Sequence, residues 1–392
     1  MPSPVAERPG LLIRDPMRFS DSVIVVPWVL ARALRCFDGQ QSALDLRTEL
    51  VRQTGMLDVA SIAEDLISAL SKSAFLEDEA FQQTRAARID AFAASPVRQH
   101  AHGGSAYPVE RAELEGVLRG YADPAGCAPV ADGLTAIAAP HVSPFGGWQS
   151  YRAAYHQLSP ELRDRTFIIL GTSHYGEPEK FGLTRKSFET PLGRTQTELA
   201  LVDRLISQGG SAVSVEDYCH AVEHSIEFQV LFLQWIFGPD VRVVPILCGP
   251  FARALNDGGT PEDDPAVARF FDVLGDAARR EGDRLLWVLG VDMAHIGRRY
   301  GDQSPARAHA GYLQEVEARD RARIDRMQAG DAHGFWDLVQ ENCDDIRWCG
   351  SSPIYTFLRT VPKVRGAIHR YEQWNIDDES VVSFAGISFR RA

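Results

Sequence analysis

Residues 166–174 read TFIILGTSH. Four apolar residues, Phe167 to Leu170, run unbroken to Gly171, and three positions later stands His174. A half-exposed strand would alternate apolar and polar residues; an unbroken run closed by glycine is the pattern of a strand buried on both faces. The arrangement recurs. LTAIAAPH (134–141) ends on His141, RLLWVLGVDMAH (284–295) ends on His295, and VRVVPILCG (241–249) gives a fourth such run. Helical spacing fills the intervals at 198–208, 222–237 and 264–281. Strand and helix in alternation predict an α/β fold, a sheet covered by helices on both faces. Ligands of open α/β sheets bind at the carboxyl ends of the strands. Three histidines delivered to that edge predict a shared site.

A fourth histidine belongs with them. HAVEHSIEFQVLFLQWIF (220–237) reads as a buried helix with His224 in its first turn. The positive end of a helix dipole favours the neutral imidazole, the form that binds metal or accepts a proton. Glu223 and Glu227 are expected to complement that dipole and face solvent, and His220 shares the face of His224 only if the helix starts earlier. Neutral imidazoles with carboxylates nearby suit Fe(II), Zn(II) or Cu(II). No HExxH motif is present, which excludes the zinc-protease arrangement. Asp292, on the loop that carries His295, is placed to orient an imidazole as an acceptor. Cys248 ends a strand and is expected in the core; Cys349 is expected near a turn. His100 and His102 precede the first α/β strand and are expected at the surface.

The 392 residues carry 53 Asp and Glu against 41 Lys and Arg, a formal net charge of −12. That balance argues against nucleic acid as a partner, because phosphate binding needs a basic face. No apolar run approaches the ~20 residues that cross a bilayer, so no membrane partner is expected. The opening MPSPVAERPG has no basic start followed by an apolar core, and a cytoplasmic location is expected by default. The six cysteines are scattered without a CxxC pair and are expected to be free thiols, mostly buried.

The chain ahead of the α/β pattern reads as a separate small domain over residues 1–85, joined by a linker at 86–97, a helical tail with its boundary near Ser95-Pro96, to a domain spanning 98–392. LLIRD and SVIVVP predict a hairpin, and WVLARALRCFDG a helix. SALDLRTELVRQTG predicts a second helix capped by Ser42 with Asp45 and closed at Gly55. A third helix has Val59, Ile62, Leu66 and Leu70 on one stripe. A hairpin and three short helices form a small winged-helix-like α+β domain. Residues 1–80 hold eight Lys or Arg and twelve Asp or Glu, the wrong sign for reading DNA. The spacing also resembles the PqqD-like family, whose small domains bind peptide or protein partners. That resemblance implies such a partner here, captured by strand addition.

From about residue 96 to 389 the motifs APHVSPFGGW, ILGTSHYG, ETPLGRTQTE, EHSIEFQ, VPILCG, VDMAHIG and CGSSPIY stand in the order of the Memo (mediator of ErbB2-driven cell motility) family. The second domain closely resembles that family, whose phosphorylase-like α/β fold is similar to the class III extradiol dioxygenases, non-haem iron enzymes. The resemblance implies that His141 and His174 contact a divalent metal, Fe(II) foremost, with Cu or Zn as alternatives. His224 matches the acid/base histidine of the dioxygenases and is also a candidate ligand; His295 is a further candidate catalytic histidine. Animal Memo proteins have Cys-His where this chain has Ala294-His295, and that cysteine stands in place of the dioxygenases' third metal ligand. Ala294 ligates nothing, so either His224, Asp217 or His295 supplies a third donor, or the pocket holds no metal and binds an anion or small molecule. Two functions are compatible with these residues. One is a dioxygenase-like, metal-dependent oxidoreductase. The other is a non-catalytic protein that binds a peptide or small molecule in the same pocket and recruits a partner through its N-terminal domain.

Overall fold

The computed structural model describes residues 9–127, 131–361 and 363–392; the opening eight residues, which fall within the segment read for a leader, lie outside them. The chain divides into two compact units between Ala94 and Ser95. Among the described residues no helix is long and apolar enough to cross a membrane.

In the first unit β1 (Gly10–Arg14) pairs antiparallel with β2 (Val23–Pro27), Leu12 opposite Val25. The turn between them is held by the Asp15 carboxylate, which accepts from the backbone N–H groups of Met17, Phe19 and Ser20 at 2.8, 2.8 and 3.1 Å. Residues 28–36 coil as a 3-10 helix behind Pro27. Helix α1 (Ala43–Thr54) starts as its sequence predicts: the Ser42 N–H donates to Asp45 at 2.8 Å and the Asp45 N–H donates back to the Ser42 hydroxyl at 3.4 Å. Such a cap stabilises a helix by about 1 kcal/mol. Gly55, at φ 71°, closes it in the left-handed conformation. Helices α2 (Ala60–Lys72) and α3 (Glu79–Ala94) follow, and α3 is the helical tail expected ahead of Ser95-Pro96. Val26, Leu46, Leu50, Leu66 and Leu70 form this unit's own core.

The second unit is built on a mixed sheet of ten strands among the described residues. Its elements include β3 (Leu134–Ala139), α4 (Pro144–Tyr155), β4 (Thr166–Thr172), β5 (Phe181–Leu183), α5 (Cys219–Val222), α6 (Glu227–Phe237) and β6 (Arg242–Cys248). There follow α7 (Pro265–Glu281), β7 (Leu285–Gly290), β8 (His295–Gly297), α8 (Ser351–Thr360), β9 (Val364–Asp377) and β10 (Ser380–Arg391). The centre is parallel in the order β6–β4–β7–β3, with Ile246 opposite Leu170, Val288 opposite Ile169, and Val288 opposite Ile137. Antiparallel strands flank it: β5 on β6, and β10 on β3, with β9 outside β10. The start of β10 also pairs with β8, Val382 opposite His295.

All seven residues of β4 are buried. Ile168 and Leu170 join Phe270 and Leu274 of α7 in one cluster, while Phe167 meets Phe237 of α6 at 4.9 Å on the other face. Burial on both sides is why the strand lacks alternation. The parallel strands β3, β4 and β7 end together, and the loops that leave them carry His141, His174 and Asp292–His295.

Helix 222–237 departs from its expected form. It breaks at 223–226, leaving the short α5 before and α6 after, and His224 stands in the break. The cause is close packing over two glycines. The Ser225 hydroxyl donates to Thr172 O at 2.7 Å, and a Cβ on Gly171 would lie 2.6 Å from Ser225 Oγ. A Cβ on Gly290 would lie 2.2 Å from Ser225 O. The break is seated on the ends of β4 and β7, and a continuous helix would not fit there.

Candidate metal centre

Three of the expected residues converge. His141, His174 and His224 each offer a ring nitrogen, and these atoms lie within 4.8 Å of one another. The rings of His174 and His224 stack at 4.9 Å with 11° between planes; His141 stands edge-on to both, at 5.0 and 5.2 Å. A tetrahedral ion with bonds of about 2.0–2.1 Å would draw such nitrogens to about 3.4 Å apart, a modest closure.

The tautomers are set by acceptors. His141 Nδ1–H donates to Gly290 O at 2.9 Å, which leaves Nε2 with the lone pair. His174 Nδ1–H donates to the Glu223 carboxylate at 2.9 Å, and the Glu223 carboxylate also accepts the His174 backbone N–H at 2.5 Å. A carboxylate behind the ring is the usual partner of a metal-bound histidine. Burial and neighbouring charge set the protonation. Burial, then the charge of His174, pushes His141 down to about 3. Burial and the surrounding histidines push His224 well below its ordinary range. For His174 burial opposes the charged form, but Glu223 outweighs it and raises the ring. For His224 desolvation is the largest cause, followed by the neighbouring histidines.

Other expectations are redistributed. His295 lies beside the trio without joining it: its Nδ1–H is held by Met293 O at 2.9 Å and Arg347 O at 3.1 Å, its ring meets Tyr300 at 4.9 Å, and burial lowers it to about 4. Asp217 does not reach the site; its carboxylate accepts from the Cys219 N–H at 2.9 Å. His220 is buried elsewhere, with Nε2 against Gly182 O at 3.0 Å. Asp292 does not accept the ring N–H expected of it, which goes to Gly290 O. It accepts the His141 backbone N–H at 2.9 Å, and burial raises its carboxyl to about 6. Cys248 is in the core, and all six cysteines are free.

Neither Glu223 nor Glu227 faces solvent; they are 2% and 0% exposed. Glu227 pairs with the buried guanidinium of Arg98 and accepts from the N–H groups of Ala101 and His102 and the hydroxyl of Tyr107 at 2.9, 3.0 and 2.5 Å. Arg98 in turn donates to His220 O and Glu223 O, both at 2.7 Å. This knot fixes the break that carries His224. Its sequence signal was one acid, Glu227, inside the largely apolar run IEFQVLFLQWIF, where a carboxylate must be buried and paired. His102, expected at the surface, packs its ring 5.5 Å from His224 with Nε2 against Val222 O. Cys349 enters from another loop, with Sγ 3.3 Å from His141 Nε2.

Residues 98–388 match the family model described as Memo-like protein. A MEMO1 family protein of Aquifex aeolicus is 25% identical over 96% of this chain and 95% of its own length. A MEMO1 family protein of Thermococcus kodakarensis is 29% identical over 75% of this chain and its entire length, and one of Pyrococcus furiosus 28% identical over 76% and its entire length.

Proposed function

Since the chain belongs to the Memo-like family, we propose that His141, His174 and His224 form the protein core of a divalent-metal centre. The observation that carries this reading is the trio itself: three ring nitrogens within 4.8 Å, with two of the rings held through Nδ1. The donor set fits the group. Neutral imidazoles with a carboxylate behind one of them suit Fe(II), Cu or Zn, and Fe(II) is the ion this reading favours.

A bound redox metal would supply one-electron chemistry toward oxygen or an organic substrate. The chain's own part is to orient and exclude water. Glu223 holds His174, Asp292 and Gly290 hold His141, and burial keeps His224 and His295 neutral. With the lone pair of His224 given to the ion, His295 is left as the proton acceptor beside the centre, which suits an oxidoreductase of dioxygenase-like type. The deciding experiment is elemental analysis of the protein as isolated, with anaerobic Fe(II), Cu(I) and Zn(II) titration. Near-stoichiometric metal is expected, lost in both His141→Ala and His174→Ala. A wild type that neither carries nor takes up metal would sink the reading.

A second reading concerns the first unit. Trp28, Val29, Leu44, Met56 and Leu57 are each more than half exposed there. Apolar side chains so placed favour a protein or peptide partner for this unit, with the pocket of the second unit taking a small molecule. Deleting residues 1–94 should remove a co-purifying partner and leave metal uptake intact.

A further inference from the structure

We propose that the Cys349 thiolate is a ligand of this centre and supplies the donor that Ala294 cannot; the proposal rests on the metal reading above. Ala294 offers no donor atom, and its methyl belongs to the apolar core at 1% exposure. Cys349 arrives from a turn between helices, far away in sequence. Its Sγ stops 3.3 Å from His141 Nε2 and 3.8 Å from Asp292 O.

That separation fits an ion shared with His141; Sγ lies outside the set of three nitrogens within 4.8 Å of one another, so binding would draw it toward the other two rings. With bonds of about 2.05 Å to nitrogen and 2.3 Å to sulfur, a metal would set N and S about 3.6 Å apart at a tetrahedral angle and about 3.1 Å at a right angle. The observed 3.3 Å lies between the two. The nitrogen faced is the right one, because Nδ1–H of His141 is committed to Gly290 O and Nε2 carries the lone pair.

The thiol is also held in place by the strands that bring the histidines. Thr172, two residues before His174, donates its hydroxyl to Cys349 O at 3.0 Å. The Gly350 N–H donates to Asp292 O at 3.1 Å, and a Cβ on Gly350 would lie 2.6 Å from that oxygen, so the turn sits hard against the β7 loop. On the other side Trp348 is 1% exposed and donates its indole N–H to Asp320 at 2.5 Å. Burial, then the charges of Asp292, Asp344 and Glu223, raise this thiol well above its ordinary range. A cation at the site reverses that balance, since a coordinating thiol is deprotonated outright; the S–H bond breaks, the metal–sulfur bond forms, and the proton leaves to solvent. Asp292 Oδ2 stands 3.5 Å from the same nitrogen, but its carboxylate already accepts the backbone N–H groups of His141 and Val142 and serves to position the loop. A thiolate beside imidazoles shifts preference toward thiophilic ions, Cu(I) and Zn(II), and makes Co(II) a spectroscopic stand-in.

The test is anaerobic Co(II) titration of the full-length wild type, Cys349→Ser and His141→Ala, following near-ultraviolet absorption and proton release, with circular dichroism to establish folding. The wild type should show a thiolate-to-Co(II) charge-transfer band. Cys349→Ser should lose the band, release about one proton fewer per ion and bind at least about tenfold more weakly, since even partners behind a ligand are worth 10–100-fold. A wild-type complex without the band, together with unaltered affinity in Cys349→Ser, overturns the proposal while leaving the histidine centre standing. No Co(II) uptake by the wild type, or uptake that survives His141→Ala, overturns both.

Discussion

Glu223 grips His174 at two points, accepting the backbone N–H at 2.5 Å and the ring Nδ1–H at 2.9 Å through its two carboxylate oxygens. Ring orientation and backbone path are thereby fixed by one side chain that is itself 2% exposed. Glu223→Gln keeps the shape and removes the charge. Metal affinity should fall 10- to 100-fold with the fold intact, read by competition with a chelator.

The buried Arg98–Glu227 pair sets a second expectation. Arg98→Ala strands a carboxylate with 0% exposure and should cost about 3–5 kcal/mol in urea unfolding. Burial works to raise Glu227, but Arg98 and its hydrogen-bond donors hold it down, to about 2 from an ordinary 4.5. A depressed folded-state carboxylate stabilises fully above the unfolded value and loses that contribution as the pH falls. Wild type and Arg98→Ala should therefore differ most above pH 4.5 and converge toward about pH 2.

Metal uptake should also depend on pH in a particular way. Protons compete for imidazole lone pairs. His141 and His295 take protons only near 3 and 4, but His174 is raised above its ordinary 6.5 because Glu223 outweighs burial. With the Cys349 proton displaced as well, affinity should fall about tenfold per pH unit above the pKa of His174 and about a hundredfold per unit below it, the slopes of one and two protons. A slope that does not steepen through that pKa, measured by titration in a pH series, would contradict the His174 assignment.

Gly290→Ala should damage the site without touching a histidine. The added Cβ would meet Ser225 O at 2.2 Å, backbone against backbone, and must lift the 223–226 break off the sheet. About 1–3 kcal/mol of destabilisation is expected, together with weakened metal uptake as His224 moves. Gly282→Ala has nothing near its added Cβ, though its φ of 55° strains an alanine, and should leave uptake unchanged.

The parallel centre of the sheet was legible because four apolar runs had no competing interpretation, and three of them ended on histidines. Hydrophobic spacing also marked the first unit's helices, down to the Ser42–Asp45 cap. The hairpin of β9 and β10 was not legible. Val364–Asp377 mixes exposed Arg365, His369 and Arg370 with few apolar residues, as a strand does when one face meets solvent. The helix break at 223–226 could not be read either, since it depends on Gly171 and Gly290, distant in sequence. Arg98, His102 and Cys349 reach the site through the tertiary fold alone, and no local pattern distinguishes them.

His141 leaves β3, His174 leaves β4, and His224 stands between α5 and α6, so no stretch of unfolded chain presents the trio. An ion bound there would recognise the native state alone. At a thousandfold excess over its Kd it would add about 4 kcal/mol to the unfolding free energy, comparable to the whole margin of many domains. The supply of metal would then govern how long each molecule survives, and a starved cell would lose the protein as well as its chemistry.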